Sequence, residues 1–509
     1  MAAAIGVHLG YTCASLAIYK DGRTEVIAND AGDRVTPVLV ACSGKDMSIG
    51  LPAKHGLIRN AKNTMARASK IIGLRFSDNA VQEEVQVSDC QIIDKDGEPF
   101  FELELNDKKT LFSPKEVVRM IFQKLLEIAQ ANGGNDIEEA VITIPLHFND
   151  EQRAAIREAA EDAGFDVLRV ISQPAAAALA YDIGQSDRAT VRTVLVYRLG
   201  GTTLDVTVLA VNGGMYRVVS TEHDTTLGGI KFDELLSQHL AAEFQRQWKQ
   251  DVRGNARAMA KLMAGAENCK HILSSRDTAT CAIESLYDGI DMQSTVSRAR
   301  FESLCFSLFQ QSLSAIDRVL ATSNVAKDKV DQVILVGGST RIPRIKQLVQ
   351  EYFGGKEVCQ SIDPDSVLAH GAAIQASLLQ GREEQFNNEL EVECTSKAIS
   401  VMLEEAESCL CPIIPKYTPI PSRRTHNFTT SVDNQETVCL CVYEVNDDTP
   451  NDPGKTLVAK VVLEDIPPMA KGEAQIIGTF HIRRDGSLHI HLVEKTSEKS
   501  VDINIEASG

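Results

Sequence analysis

Over the first ~385 residues, short apolar runs alternate with longer stretches whose apolar positions recur every three or four residues, the texture of an α/β architecture. Ala4–Leu9 and residues 15–19 read as apolar strands joined by a glycine-bearing turn. Residues 113–130 read as an amphipathic helix, entered at Ser113-Pro114 and closed by Asn132-Gly133-Gly134. Further buried strands are expected at 140–144, 167–171, 194–197, 204–211 and 333–336. Helical periodicity marks 150–163, 230–248, Ala256–Leu273 and 300–320.

The texture then changes. Residues 382–393 are polar and acidic, which suits a solvated connector, and beyond Cys394 the helical patterns fade. Short β-type runs take over, punctuated by turn signals at Pro419-Ile-Pro421, Asp433-Asn434, Asn446-Asp-Asp448, Asp452-Pro-Gly454 and Pro467-Pro468. Asp485-Gly486, between strand-like runs at 478–483 and 487–493, predicts a hairpin with a two-residue loop. The expected organisation is an α/β unit over 1–385, an acidic linker over 386–394 and an antiparallel β domain over 395–509.

Charge narrows the function classes. A formal net charge of −18 opposes direct binding to a phosphate backbone, where Lys and Arg supply most of the affinity. No nucleic-acid contact is expected unless a partner carries it. Twelve cysteines are scattered along the chain rather than packed into a small scaffold. The pairs Cys409/Cys411 and Cys439/Cys441 each fall on one face of a strand and read as small buried hydrophobes. The N-terminal apolar run is too short for a signal peptide, and no apolar stretch reaches the ~18 residues of a membrane span. A cytosolic protein without a membrane segment is the expectation.

One internal echo carries chemistry. His8-Leu-Gly-Tyr-Thr12 recurs in kind as Arg198-Leu-Gly-Gly-Thr202, each following an apolar strand and preceding another. Two such turns facing one cleft can cradle phosphates with backbone N–H groups and hydroxyls. A third element, Val333-Ile-Leu-Val-Gly-Gly-Ser-Thr-Arg-Ile-Pro343, sets two glycines after a buried strand and before a helix, where a base or sugar can approach the backbone. Ala140-Val-Ile-Thr-Ile-Pro145, Phe148-Asn-Asp150 and Ser172-Gln-Pro-Ala-Ala-Ala-Ala-Leu-Ala-Tyr181 complete the set.

Together these blocks resemble the heat-shock seventy chaperone family, from Ile5 to about Val493. The resemblance implies a two-lobed actin-like ATPase domain followed by a β-sandwich peptide-binding-like domain, with ATP as the ligand. It assigns the phosphates to Gly10, Thr12, Arg198, Gly200, Gly201, Thr202 and Thr203. It assigns adenosine to Glu267, Lys270, Ser274, Gly337, Gly338, Ser339, Arg341 and Asp365, with His271 replacing the family's usual arginine. Lys54, Thr203 and Asp205 take the catalytic positions. Read singly, Glu267 and Lys270 would be an i, i+3 pair and Lys54 an exposed lysine; their place in an ordered set makes them a site.

The departures are concentrated where the family organises its metal. Aspartate before Leu-Gly becomes His8 in one turn and Arg198 in the other, and glutamate before proline becomes Gln173. Tyr11 stands for threonine and Thr202 for a third glycine. Magnesium wants oxygen ligands, and three acids have become imidazole, guanidinium and amide. No metal ligand is therefore assigned. The expectation is at most a weak ATPase whose magnesium dependence is doubtful, with binding retained and Arg198 standing in for the missing cation.

Residues 418–493 resemble the family's peptide-binding sandwich, and the sequence stops near its end, so the resemblance implies no helical lid. The combination is similar to the atypical members that serve in the ribosome-associated complex. Those members pair with a J-domain co-chaperone of the zuotin type, reach the ribosome through it, and assist nascent polypeptides. The alternatives are a conventional ATP-hydrolysing folding chaperone and, from another class, an actin-like sugar kinase or filament protein; the β domain argues against the latter.

Overall fold

The computed structural model describes residues 4–505 apart from 21, 45, 106–107, 135–136, 186–190, 213, 381–394, 396, 403–409, 417, 419, 447–453, 484–485 and 498. The expected linker at 386–394, Cys409 and Asp485 lie outside the described residues, as do most of the turn residues at 446–454. The chain forms two compact units: Met1–Gly214 with Ser220–Leu390, and Met215–Val219 with Glu391–Gly509.

The first unit is built on two similar sheets. In one, Ala4–Leu9 pairs antiparallel with Cys13–Lys20 and parallel with Glu139–Ile144, which pairs parallel with Asp166–Ser172. In the other, Arg192–Leu199 pairs antiparallel with Leu204–Asn212 and parallel with Gln332–Val336. Each sheet therefore presents one hairpin turn beside one parallel strand, the structural counterpart of the echo in sequence. These strands read as near-continuous apolar runs because helices cover both faces.

The helices begin where their caps dictate. Ser113 caps Pro114–Gly133 with a full capping box to Glu116, and Asn149 does the same for Asp150–Glu161 with Gln152. The periodic stretch expected as one helix over 300–320 is two, Arg298–Leu304 and Phe306–Ser323, broken at Cys305 with φ −94° and ψ 9°. Apolar periodicity continues through such a break, so spacing alone does not reveal it.

Val367–Leu379 packs on the first sheet and against Gln173–Ala180, which in turn touches the second sheet. Glycines make these contacts backbone-to-backbone. A Cβ at Gly6 would lie 2.1 Å from the Ala369 carbonyl oxygen, and one at Gly371 would lie 1.9 Å from that of Ala176.

The second unit holds two four-stranded antiparallel sheets. One runs Leu410–Ile414, Ala398–Met402, Val438–Asn446, Gly454–Leu463; the other Ser422–Phe428, Ile476–Ile482, Leu488–Glu494, Ser500–Ile505. Their inward residues, among them Val401, Leu440, Val442, Ile476, Phe480, Ile490 and Leu492, form one buried core. The expected two-residue hairpin loop is longer. The strands close with the Arg483 N–H on the Ser487 carbonyl at 2.9 Å, three positions short of adjacency, and Gly486 sits at φ 78°. A glycine in the left-handed region at that position is the signature of the three-residue loop with a bulge. Among the described residues no disulfide is formed and no helix is long and apolar enough to cross a membrane.

Candidate nucleotide site

Both hairpin turns close in the same way. The Gly10 N–H bonds the Cys13 carbonyl at 3.0 Å, and the Gly200 N–H bonds the Thr203 carbonyl at 2.9 Å. The turns meet: a Cβ at Gly201 would lie 2.5 Å from Thr12 Oγ1. A side chain there would have to displace Thr12. The Gly200 and Gly201 carbonyls accept from the N–H groups of Gly229 and Ile230, so the second turn is strapped to the N-terminus of Gly229–Trp248.

Beneath the turns lie the residues that replaced the family's acids. His8 is buried, and its Nδ1 is 2.9 Å from Thr143 Oγ1 on the parallel strand. Burial, reinforced by the Arg198 guanidinium, pushes its pKa down to about 3, so the imidazole is neutral. Arg198, also buried, donates from one terminal nitrogen to Asp205 Oδ2 at 2.7 Å and to Thr203 Oγ1 at 3.2 Å. The other carboxylate oxygen, Asp205 Oδ1, is 2.6 Å from His223 Nδ1. Burial works to raise the Asp205 pKa, but His223, Arg198 and His147 outweigh it and hold the carboxylate ionised. His223 shows the reciprocal effect: burial opposes its charge, and Asp205 overrides it to raise the pKa. Gln173, Arg198 and Asp205 line a cavity of about 20 Å³, the scale of one water molecule.

His8 carries a pH prediction. The unfolded chain binds a proton on this ring below its ordinary value near 6.5, whereas the folded protein refuses it down to about 3. The unfolded state thus holds more protons in that window, so stability rises with pH and is lost on acidification. His8→Gln should reduce the slope of unfolding free energy against pH by up to about 1.4 kcal/mol per pH unit between those values. Denaturant titrations across pH read it out, and an unchanged slope would contradict the buried neutral assignment.

On the other side of the cleft, Gly337 sits at φ +88° with its N–H on the Pro364 carbonyl, 2.8 Å away. A Cβ at Gly338 would lie 2.4 Å from Asp365 Oδ1. Ser339 Oγ donates to the Gly200 carbonyl at 2.9 Å, joining this segment to the second turn. Arg341 bridges Asp363 and Asp365. Lys270 is buried and donates to Asp233 Oδ2 at 2.6 Å and to the Gly229 carbonyl at 3.1 Å, which leaves one of its three donors. Ser274 Oγ turns back onto the Lys270 carbonyl at 3.2 Å.

Lys54 departs from its expected role. The structure does not bring it to Thr203 and Asp205; its Nζ pairs with Glu267 Oε1 at 2.8 Å, both side chains about a third exposed. It links the Leu51–Asn60 helix to the helix of Lys270 across the cleft. Ser69 is the buried side chain against the first turn, donating to the Gly10 carbonyl at 3.0 Å. The sequence reading missed Ser69, Thr143, His147, His223, Gly228 and Gly229. Gly228-Gly229 ahead of a periodic run was a usable signal; the others meet only through the tertiary fold.

Among the described residues, the buried Thr202 Oγ1 and Gln173 Nε2 beside the turns have no hydrogen-bond partner. With the glycine-floored turns they fit a polyphosphate, which supplies acceptors to hydroxyl, amide and backbone N–H groups. They do not fit magnesium held as the family holds it. The Asp205 carboxylate is engaged by Arg198 and His223, and the positions where acids are replaced offer an imidazole, a guanidinium and an amide.

A family model described as "Hsp70 protein" matches residues 4–509. This chain belongs to the Hsp70 family. It is 44% identical over 505 residues to heat shock 70 kDa protein 14-B of Xenopus laevis, covering 99% of each chain. It is 43% identical over 507 residues to heat shock 70 kDa protein 14 of Homo sapiens and 42% identical over 510 residues to that of Danio rerio, again over 99% of each chain. Hsp70 proteins are chaperones that bind ATP, client polypeptides and J-domain co-chaperones.

Proposed function

We propose that this Hsp70-family protein is a nucleotide-stabilised chaperone subunit that binds ATP and hydrolyses it weakly or not at all. In this reading it acts on nascent polypeptides at the ribosome, in the cytosol, together with a J-domain partner of the zuotin type. The observation that carries the first part is the buried Arg198–Asp205 pair at 2.7 Å beneath the second turn. A guanidinium occupies the place of a metal-organising acid and neutralises the remaining carboxylate. Phosphoryl transfer rests on positioning and charge stabilisation, and each lost stabilising contact costs on the order of 2.7–4 kcal/mol.

Binding survives this loss in the proposal. Gly10, Thr12, Gly200, Gly201, Thr202 and Thr203 hold the phosphates, with Arg198 supplying fixed positive charge below them. Glu267, Lys270, Ser274, Gly337, Gly338, Ser339, Arg341 and Asp365 hold adenosine. In the second unit, the edge strand Ser422–Phe428 offers backbone groups to an extended client segment.

The ribosomal role rests on the resemblance and on the net charge of −18, which leaves rRNA contact to a partner. Sedimentation of cytosol over sucrose tests it. The chain is expected to comigrate with intact ribosomes together with a J-domain protein, and to leave that fraction when the J-domain protein is depleted. A chain that stays at the top of the gradient in both conditions contradicts the ribosomal role.

A further inference from the structure

Three side chains, His147, Asp205 and His223, converge at the phosphate end. His147 follows the Glu139–Ile144 strand, Asp205 lies on Leu204–Asn212, and His223 lies near the end of Met215–Asp224. One ligand atom from each falls within 4.8 Å of the other two. Asp205 Oδ1 is 2.6 Å from His223 Nδ1 and 3.9 Å from His147 Nδ1. The imidazoles stack with centroids 3.8 Å apart and planes inclined by 30°.

We propose that His147 Nδ1, His223 Nδ1 and Asp205 Oδ1 bind a borderline divalent cation of the zinc class. Two imidazoles and a carboxylate are donors that zinc and cobalt favour and that magnesium, an oxygen-seeking ion, does not. Metal–donor bonds of about 2.0–2.1 Å in a tetrahedral shell put donor atoms about 3.3–3.5 Å apart. The separations of 2.6 and 3.9 Å bracket that value, and the two imidazoles, stacked with centroids 3.8 Å apart, turn out of the stack for both Nδ1 lone pairs to reach one ion.

The surroundings suit a metal-bound His147. Its other ring nitrogen, Nε2, is 2.8 Å from the buried Tyr11 hydroxyl. With metal on Nδ1, Nε2 carries the hydrogen and donates it to Tyr11, the outer-shell hydrogen bond that fixes tautomer and ring orientation. Arg198 and Thr203 hold the second oxygen of Asp205, so the carboxylate presents Oδ1 alone. The ion displaces the proton shared between His223 and Asp205, which leaves to solvent. Three protein ligands leave a fourth coordination position. Metal binding does not require ATP: His147 and His223 have no role assigned at the nucleotide, and Asp205, which takes a catalytic position, offers Oδ1.

The test uses metal-free full-length protein and Co²⁺ as the probe, with Zn²⁺ competition giving affinity. One Co²⁺ with visible bands of a four- or five-coordinate nitrogen and oxygen site is expected. His223→Gln and His147→Phe should each weaken it about 100-fold or more, and Tyr11→Phe about 10-fold. His491→Asn, in the separate His489–His491–Asp502 cluster of the second unit, should leave it unchanged. X-ray absorption of the Zn²⁺-loaded parent protein needs no variant and should show two imidazoles and no sulfur. No bound Co²⁺, a thiolate charge-transfer band, a sulfur shell, affinity unmoved by His223→Gln, or affinity lost in His491→Asn would each overturn the proposal.

Discussion

Replacing Arg198 by alanine is expected to destabilise the first unit by about 3 kcal/mol, the lower end of the cost of breaking a buried ion pair. The estimate sits at that end because Asp205 keeps His223 at 2.6 Å after the guanidinium is gone. The loss has two sources: a buried carboxylate with fewer partners, and a cavity under the Gly200 turn, where the Arg198 terminal nitrogens now lie. Arg198→Ala/Asp205→Asn should recover part of the loss, since the amide no longer carries an unpaired charge. Denaturant unfolding of the four proteins closes this cycle. The same Arg198→Ala protein should hold ATP more weakly in chelator, by the stand-in argument for its positive charge. Equal affinity would remove Arg198 from the phosphate site.

Gly371→Ala should cost still more, above about 3 kcal/mol, because overpacking at backbone has no side-chain escape. The added Cβ lies 1.9 Å from the Ala176 carbonyl oxygen and 2.7 Å from its carbon, so two helices must separate. The displaced helix begins at Gln173, which lines the cavity beside Arg198 and Asp205. Stability and ATP affinity should therefore fall together. Gly56→Ala is the control: this glycine lies inside Leu51–Asn60 with open space around its Cβ position. Helix propensity there predicts a gain of up to about 1 kcal/mol. If Gly371→Ala is as benign as Gly56→Ala, the close helix contact is not real.

Much of the α/β frame was legible because its signals are local. Apolar runs gave the strands, Ser113-Pro114 marked the start of its helix, and periodicity gave the helix at 150–163, whose capping box at Asn149 only the structure shows. The echo of His8-Leu-Gly with Arg198-Leu-Gly was legible too, since each turn is a single contiguous segment. What the chain does not write locally was missed. His147 and His223 are brought to Asp205 by strands of two different sheets. Lys54 finds Glu267 on a helix 213 positions away, so its expected company with Thr203 and Asp205 could not be checked by spacing. The break at Cys305 and the left-handed backbone of Gly486 are details on which periodicity is silent.

The central claim, retained ATP binding without a working metal-dependent hydrolytic site, is tested by one paired measurement on the isolated protein. ATP affinity is measured by calorimetry and conversion by single-turnover assay, each with magnesium and with chelator. The account predicts binding that chelator changes little and no appreciable conversion under either condition. Rapid conversion that appears with magnesium and vanishes with chelator would contradict it, because Asp205 would then have to leave Arg198 and serve the metal.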